Sequence, residues 1–184
     1  MKMKCYLVVT GLLMTMLLGC SKSDNTVTPS NTADLLVRKW SINELNVKTD
    51  AKSYAIPATD GGTFFGDDNT ATFKSDNTYT VVENGKSGNG GSWKLSTDNK
   101  TLSLTDIDNV TTVFTVNTLT STAIELATKS VNVLKTNPTE EEQSIALAAM
   151  LLLFTIDKDN GGTIDFSKET DPKTVQLILK GKGI

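Results

Sequence analysis

Apolar and polar residues alternate with a period of two along much of the chain. Residues 35–47 predict a first strand with Trp40 and Ile42 on one face; the phase then slips so that Leu45 and Val47 continue it, which predicts a β-bulge near Asn43-Glu44. Residues 48–68 read as irregular, with Pro57, Gly61, Gly62 and Gly66, although Thr63-Phe64-Phe65 could pair briefly. Strands follow at 70–74, 78–83, 92–96, 101–105, 110–116 and 122–129. They turn Phe73, Trp93, Leu95, Leu102, Leu104, Phe114, Val116, Ile124 and Leu126 inward and place Thr and Ser on the other face. Such alternation marks half-buried antiparallel strands. Ser75-Asp76-Asn77 and Thr97-Asp98-Asn99 are turn signals, since Asn and Asp tolerate left-handed backbone. Short, closely spaced strands separated by turns favour a barrel or sandwich.

The pattern changes after residue 136. Asn137-Pro138-Thr139-Glu140 reads as a helix start, with Asn137 as N-cap and Pro138 in the first turn. Glu140–Glu142 suit the positive end of the helix. Residues 145–154 are nearly all apolar, which predicts a largely buried helix over about 138–155, packed on the mouth or wall of a barrel. Ten apolar residues are too few to span a membrane. Val175, Leu177 and Leu179 then alternate as a last strand before a Lys-Gly-Lys-Gly-Ile tail.

At the other end, Lys2 and Lys4 precede a 13-residue apolar run, Tyr6–Leu18, and Leu17-Leu18-Gly19-Cys20 follows. A basic segment with a short apolar run is the secretory pattern, and these four residues resemble a bacterial lipobox. The resemblance implies a signal peptide at 1–19 and lipid on Cys20. Three acyl chains there would exceed what stable membrane anchoring needs. Residues 21–33 are polar and predict a flexible tether reaching on the order of 20 Å. The organisation expected is therefore signal 1–19, lipidated Cys20 with tether to residue 34, and one domain at 35–184. Ser21, rather than Asp, after the cysteine is compatible with outer-membrane delivery, facing the periplasm or the outside. Lys22-Ser23-Asp24 only faintly resembles a surface-export tag.

Removal of the signal leaves 165 of the 184 residues, with 16 basic and 21 acidic side chains, a net charge near −5. That length suits one domain, and the acidic balance gives no basic face for nucleic acid. There is no histidine, and Cys20 is the one cysteine outside the signal. Serine–histidine and cysteine–histidine hydrolysis, and the usual zinc sites, are excluded. No isolated pair of acids stands out as general acid and base, so the chain is expected not to be an enzyme.

Four stretches carry a resemblance to a family: Leu36-Val37-Arg38-Lys39-Trp40; Thr72-Phe73-Lys74-Ser75-Asp76-Asn77-Thr78-Tyr79; Gly91-Ser92-Trp93-Lys94-Leu95 with Lys100-Thr101-Leu102-Ser103-Leu104; and Phe114-Thr115-Val116-Asn117-Thr118-Leu119-Thr120. In order and spacing they are similar to the lipocalin-like lipoproteins of Bacteroidota. The family usually has Gly two residues before the first Trp, where this chain has Arg38. The resemblance covers about residues 35–130. It implies a mainly β fold, an antiparallel up-and-down barrel of about eight strands, here with one inserted helix near the C-terminus. It also implies a small apolar ligand and no catalysis.

Two sites are candidates. Trp40, Phe73, Tyr79, Trp93 and Phe114 could line a ligand cavity, with core packing as the competing role. Asp157-Lys158-Asp159-Asn160-Gly161-Gly162-Thr163-Ile164-Asp165 resembles an EF-hand calcium loop, with Asp157, Asp159, the Thr163 carbonyl and Asp165 as ligands and Gly162 as the turn glycine. Position 12 is Lys168 in place of the bidentate Glu that calcium wants, and Gly161 brings no oxygen at position 5. The competing reading is a polar turn that leaves the helix for a strand. Gly85, Gly88, Gly90 and Gly91 lack the Lys-Ser/Thr and helix of a phosphate loop and read as a flexible mouth loop. The leading expectation is a lipid-anchored binding barrel. The alternative is a structural or interaction accessory that docks another envelope protein.

Overall fold

The computed structural model describes residues 32–57, 69–83 and 85–184. The signal, Cys20, most of the tether and the Thr63–Phe65 pairing lie outside them. A short helix, α1 (Thr32–Leu36), precedes β1 (Lys39–Thr49), β2 (Ser53–Ile56), β3 (Thr70–Phe73), β4 (Thr78–Glu83), β5 (Lys86–Ser87), β6 (Gly91–Leu95), β7 (Thr101–Asp106), β8 (Thr111–Leu119), β9 (Ala123–Thr128) and β10 (Val131–Asn132). Helix α2 (Glu140–Thr155) and strand β11 (Thr174–Gly183) complete the chain. All pairings between these strands are antiparallel. β1, β3, β4, β6, β7, β8, β9 and β11 follow one another around the sheet, and β11 pairs back onto β1. The eight-stranded antiparallel barrel is thus closed, with one long helix near the C-terminus.

The first strand is shorter at its start than its apolar pattern suggests. Residues 32–36 turn as helix, with Ala33 against the barrel core, so residues assigned to the tether are folded. Leu36 is fully buried, and its carbonyl accepts the Trp40 indole N–H at 3.0 Å. The bulge falls where the phase slips, between Ile42 and Glu44. Because β11 runs opposite without a break, its pairs Ile42–Gly181, Leu45–Leu179 and Val47–Leu177 keep all six residues on one face. The bulge therefore extends the inward face of β1 rather than reversing it.

That extension separates two cores. Leu36, Trp40, Phe73, Trp93, Leu102, Ile124 and Leu126 fill the barrel. Beyond the closed belt, β2 and β10 widen the sheet beside β1 and β11, and α2 lies on its inward face at the barrel's end. There Leu45, Val47, Tyr54, Val131 and Val175 meet Ile145, Ala149, Leu152 and Ile156. The helix starts two residues later than Asn137 predicts. Thr139 is the N-cap: its hydroxyl accepts from Glu142 N at 3.2 Å while Glu142 returns a carboxylate oxygen to Thr139 N at 2.8 Å. This reciprocal pair satisfies two amides at once.

Glu142 also sits 2.6 Å from Lys135. Lys135 first, and then the Thr139 amide, hold its carboxyl down to about 2. A carboxyl with a lowered folded-state pKa stabilises above its ordinary range and loses that contribution as pH falls toward the lowered value. Glu142→Ala is expected to lower the thermal midpoint at pH 7. The gap from wild type should narrow as pH falls from about 4.5 to 2, a trend that paired thermal melts across that range would read.

The expectation of a largely buried helix is corrected. Ile145, Ala149, Leu152 and Leu153 are buried, but Leu147, Met150, Leu151 and Phe154 are 45–62% exposed. The helix is apolar all round, yet the sheet covers only one side of it.

Candidate functional site: the barrel cavity

The barrel has two unlike ends. The turns at 75–77, 97–99 and 120–122, α1 and the end of β11 form the base. Asn77 and Asn99 take positive φ there, 64° and 59°, and Asp76 and Asp98 accept the amides of Thr78 and Lys100. Arg38 seals this end: its guanidinium lies 5.7 Å from the Trp40 ring centroid and donates to the Ser121 carbonyl. The position that is usually Gly in the resembled family thus carries a side chain that covers the indole. The start of β3, the end of β4, the 106–111 turn and α2 form the mouth.

Between base and mouth the side chains leave a cavity of about 210 Å³. Trp40, Phe73 and Phe114 line it, with Leu104, Leu126 and Leu179 among their apolar neighbours. Tyr79 and Trp93 belong to the barrel core but do not border the cavity. Trp93 stacks edge-on against Phe73, with centroids 6.1 Å apart, and its indole N–H donates to the Lys74 carbonyl at 3.1 Å. Burial pushes the Tyr79 phenol above its ordinary range. These two rings fill the base half, and the space lies toward the mouth.

Ile42, Asn69, Thr70 and Val81 also line the wall. Ile42 and Val81 were open to discovery from strand phase, since each continues an inward row. Asn69 and Thr70 stand where β3 begins, and nothing in the local pattern marks them. Both are 5% exposed. The Thr70 hydroxyl is buried with no hydrogen-bond partner among the described residues.

The calcium-like loop is arranged differently from a calcium site. Asp157 caps a short 3-10 turn by accepting Asp159 N at 3.2 Å, and its carbonyl accepts Gly162 N at 2.8 Å. Asp165 faces the Ser167 hydroxyl, Lys158 at 2.9 Å and Lys168 at 3.1 Å, which together hold its carboxyl down to about 2. The left-handed glycine is Gly161, φ 94°, not Gly162. Gly162 is needed for another reason: a Cβ there would lie 2.1 Å from the Ile156 carbonyl oxygen. Among the described residues, Asp157, Asp159 and Asp165 are not gathered into a group that could hold a metal. Millimolar calcium is expected to leave the thermal midpoint unchanged, because binding would have to displace two lysines from Asp165; a calcium-dependent rise of several degrees would contradict this.

No protein-family model matches the chain. No curated protein matches it either.

Proposed function

We propose that this is a non-catalytic binding module of a bacterial envelope, held in the outer membrane by lipid on Cys20, with the barrel cavity taking a small apolar or amphipathic molecule. The cavity is the observation that carries the reading. It is almost wholly apolar and lies inside a closed barrel whose base is filled by Trp93, Tyr79 and Leu36. Recognition sites of this type are concave and apolar with few polar groups. The Leu17-Leu18-Gly19-Cys20 stretch supports the anchor, and the four family-like stretches support a lipocalin-like origin. The anchor implies the membrane as a partner, and the acidic balance argues against nucleic acid.

Native mass spectrometry of the mature protein, released from the membranes of a bacterial producer, is expected to show an organic mass retained beyond the acylated polypeptide and lost on denaturation. A bare acylated polypeptide would count against the binding reading.

One observation favours the second reading, an accessory that docks another envelope protein. Of the eight large apolar residues exposed among the described ones, Ile184 alone lies at the base. The rest, including Ile107, Leu134 and the outer face of α2, lie toward the mouth, at the opposite end from α1. A photo-crosslinker placed at Leu151 in cells would separate the readings: a single stoichiometric adduct supports docking, and lipid adducts alone argue against it.

A further inference from the structure

We infer that the barrel docks mouth-first on a lipid leaflet, with Ile107, Leu134 and the outer face of α2 laid into a neutral, zwitterionic head-group region. The inference rests on the reading of the chain as a lipid-anchored binding module and adds the direction in which its mouth faces. Three features carry it.

The first is an apolar collar. A helix that is apolar all round belongs in apolar surroundings on every side, and the sheet covers α2 on one side only. Leu147, Met150, Leu151 and Phe154 follow one another at helical spacing on the uncovered side. Ile107, in the turn between β7 and β8, and Leu134, ahead of α2, are 60% and 70% exposed at the same end. The apolar cavity opens at this end too. A leaflet covers side chains from separate elements together, because it has no fixed shape to match. An acyl chain leaving it would enter the cavity without crossing water.

The second is charge. Helices that lie on anionic membranes carry Lys and Arg along the polar face. α2 has neither, and no residue from Gln143 to Ile156 is ionisable. At its start, Glu141 and Glu142 are paired with Lys129 and Lys135, each at 2.6 Å. This face attracts no anionic lipid, and contact with a neutral leaflet strips water from no charge between Gln143 and Ile156.

The third is reach. β1 runs from base to mouth over 11 residues, about 36 Å of strand, or about 28 Å of height at the usual tilt of a barrel. The 12 residues from Ser21 to Thr32 span at most about 40 Å. Lipid on Cys20 can therefore lie level with the mouth although α1 stands at the base. A patch held so near meets the leaflet at about millimolar effective concentration, so weak affinity is enough.

The test uses the full chain as a bacterial producer makes it, reconstituted on phosphatidylcholine vesicles with or without a doxyl-labelled lipid. An environment-sensitive fluorophore is attached to Leu151→Cys, Ile107→Cys or Thr97→Cys, the last exposed in a base turn; the unsubstituted chain gives the background. The doxyl lipid is expected to quench the probes at 151 and 107 about twofold or more, as entry into the head-group region requires, and to leave the probe at 97 unchanged. Leu147→Lys with Phe154→Lys, both at exposed positions, should remove the quenching at 107. Equal quenching at 151 and 97, or none at 151 on a chain that floats with the vesicles, would overturn mouth-first docking and leave the face to a protein partner. Quenching that rises severalfold with phosphatidylglycerol would overturn the neutral surface. Loss of flotation itself would bring down the anchor, and the docking with it.

Discussion

A chain that stops at Leu179 is expected to lose the closure of the barrel at its base, although the five residues removed look like a dispensable tail. In the structure they are the end of β11. Lys180, Gly181 and Lys182 pair with β1 on one side, opposite Glu44, Ile42 and Ser41, and with β9 on the other, opposite Glu125, Ile124 and Ala123. Gly183 pairs with Trp40, its amide reaches the Thr122 carbonyl at 3.0 Å, and Ile184 N reaches the Lys39 carbonyl at 3.0 Å. Removing this end of β11, bonded on both sides, opens two edges at the base and exposes Trp40. At about 0.5–1.5 kcal/mol for each ladder bond, the loss comes to about 4 kcal/mol or more before any apolar exposure is counted. That is a large part of the 5–15 kcal/mol of a typical domain. Urea denaturation followed by tryptophan emission should show the midpoint collapse or the folded baseline vanish. An unchanged midpoint would mean that closure at the base adds nothing. Gly181 explains why the segment reads as a tail: a Cβ there would come within 2.8 Å of the Ile124 side chain and 3.2 Å of the Ser41 carbonyl oxygen. Glycine is required by the close approach of three strands, and glycine is also what makes a stretch look unstructured.

The same contrast runs through the rest of the chain. Strand phase made the barrel legible wherever large apolar residues alternate with Thr and Ser, and it placed the bulge, because a slip in a two-residue period has one simple cause. Asn77 and Asn99 marked their hairpins by the one backbone state they tolerate better than other side chains. Where the signal was two residues long it was lost. β2 offers only Tyr54 and Ile56 before Pro57, and β10 only Val131, and both owe their strands to partners already in the sheet. The helix was legible as a helix, but not its cover. A run apolar on every side does not say which side meets the sheet, and Leu147, Met150, Leu151 and Phe154 are left outside. The cavity was half legible. Five aromatics pointed inward, but whether a ring fills space or borders it depends on depth along the barrel, which strand tilt and register decide.

Trp40→Ala is expected to cost about 3–5 kcal/mol, the range for removing a large aromatic from a packed interior. Trp40 is fully buried, and three things rest on it. Its ring joins the barrel core to the cavity wall, its N–H satisfies the Leu36 carbonyl that ends α1, and its outer face carries Arg38. Truncation would remove the ring, leave the Leu36 carbonyl with the Arg38 amide as its remaining donor and free the guanidinium that seals the base. Trp40→Phe separates these roles. It keeps most of the apolar contact and loses the donor, so its cost should be about 0.5–1.5 kcal/mol, the scale of one hydrogen bond, since the Arg38 amide at 2.8 Å still satisfies the Leu36 carbonyl. Denaturant midpoints of the two variants measure the difference. A Trp40→Phe protein as damaged as Trp40→Ala would place the stability of the base in the hydrogen bond to Leu36. A Trp40→Phe protein as stable as wild type would place it in the ring alone. Either way the cavity is coupled to the base through one side chain, so a ligand that packs against Trp40 is expected to raise the thermal midpoint of the whole barrel, not of the mouth alone.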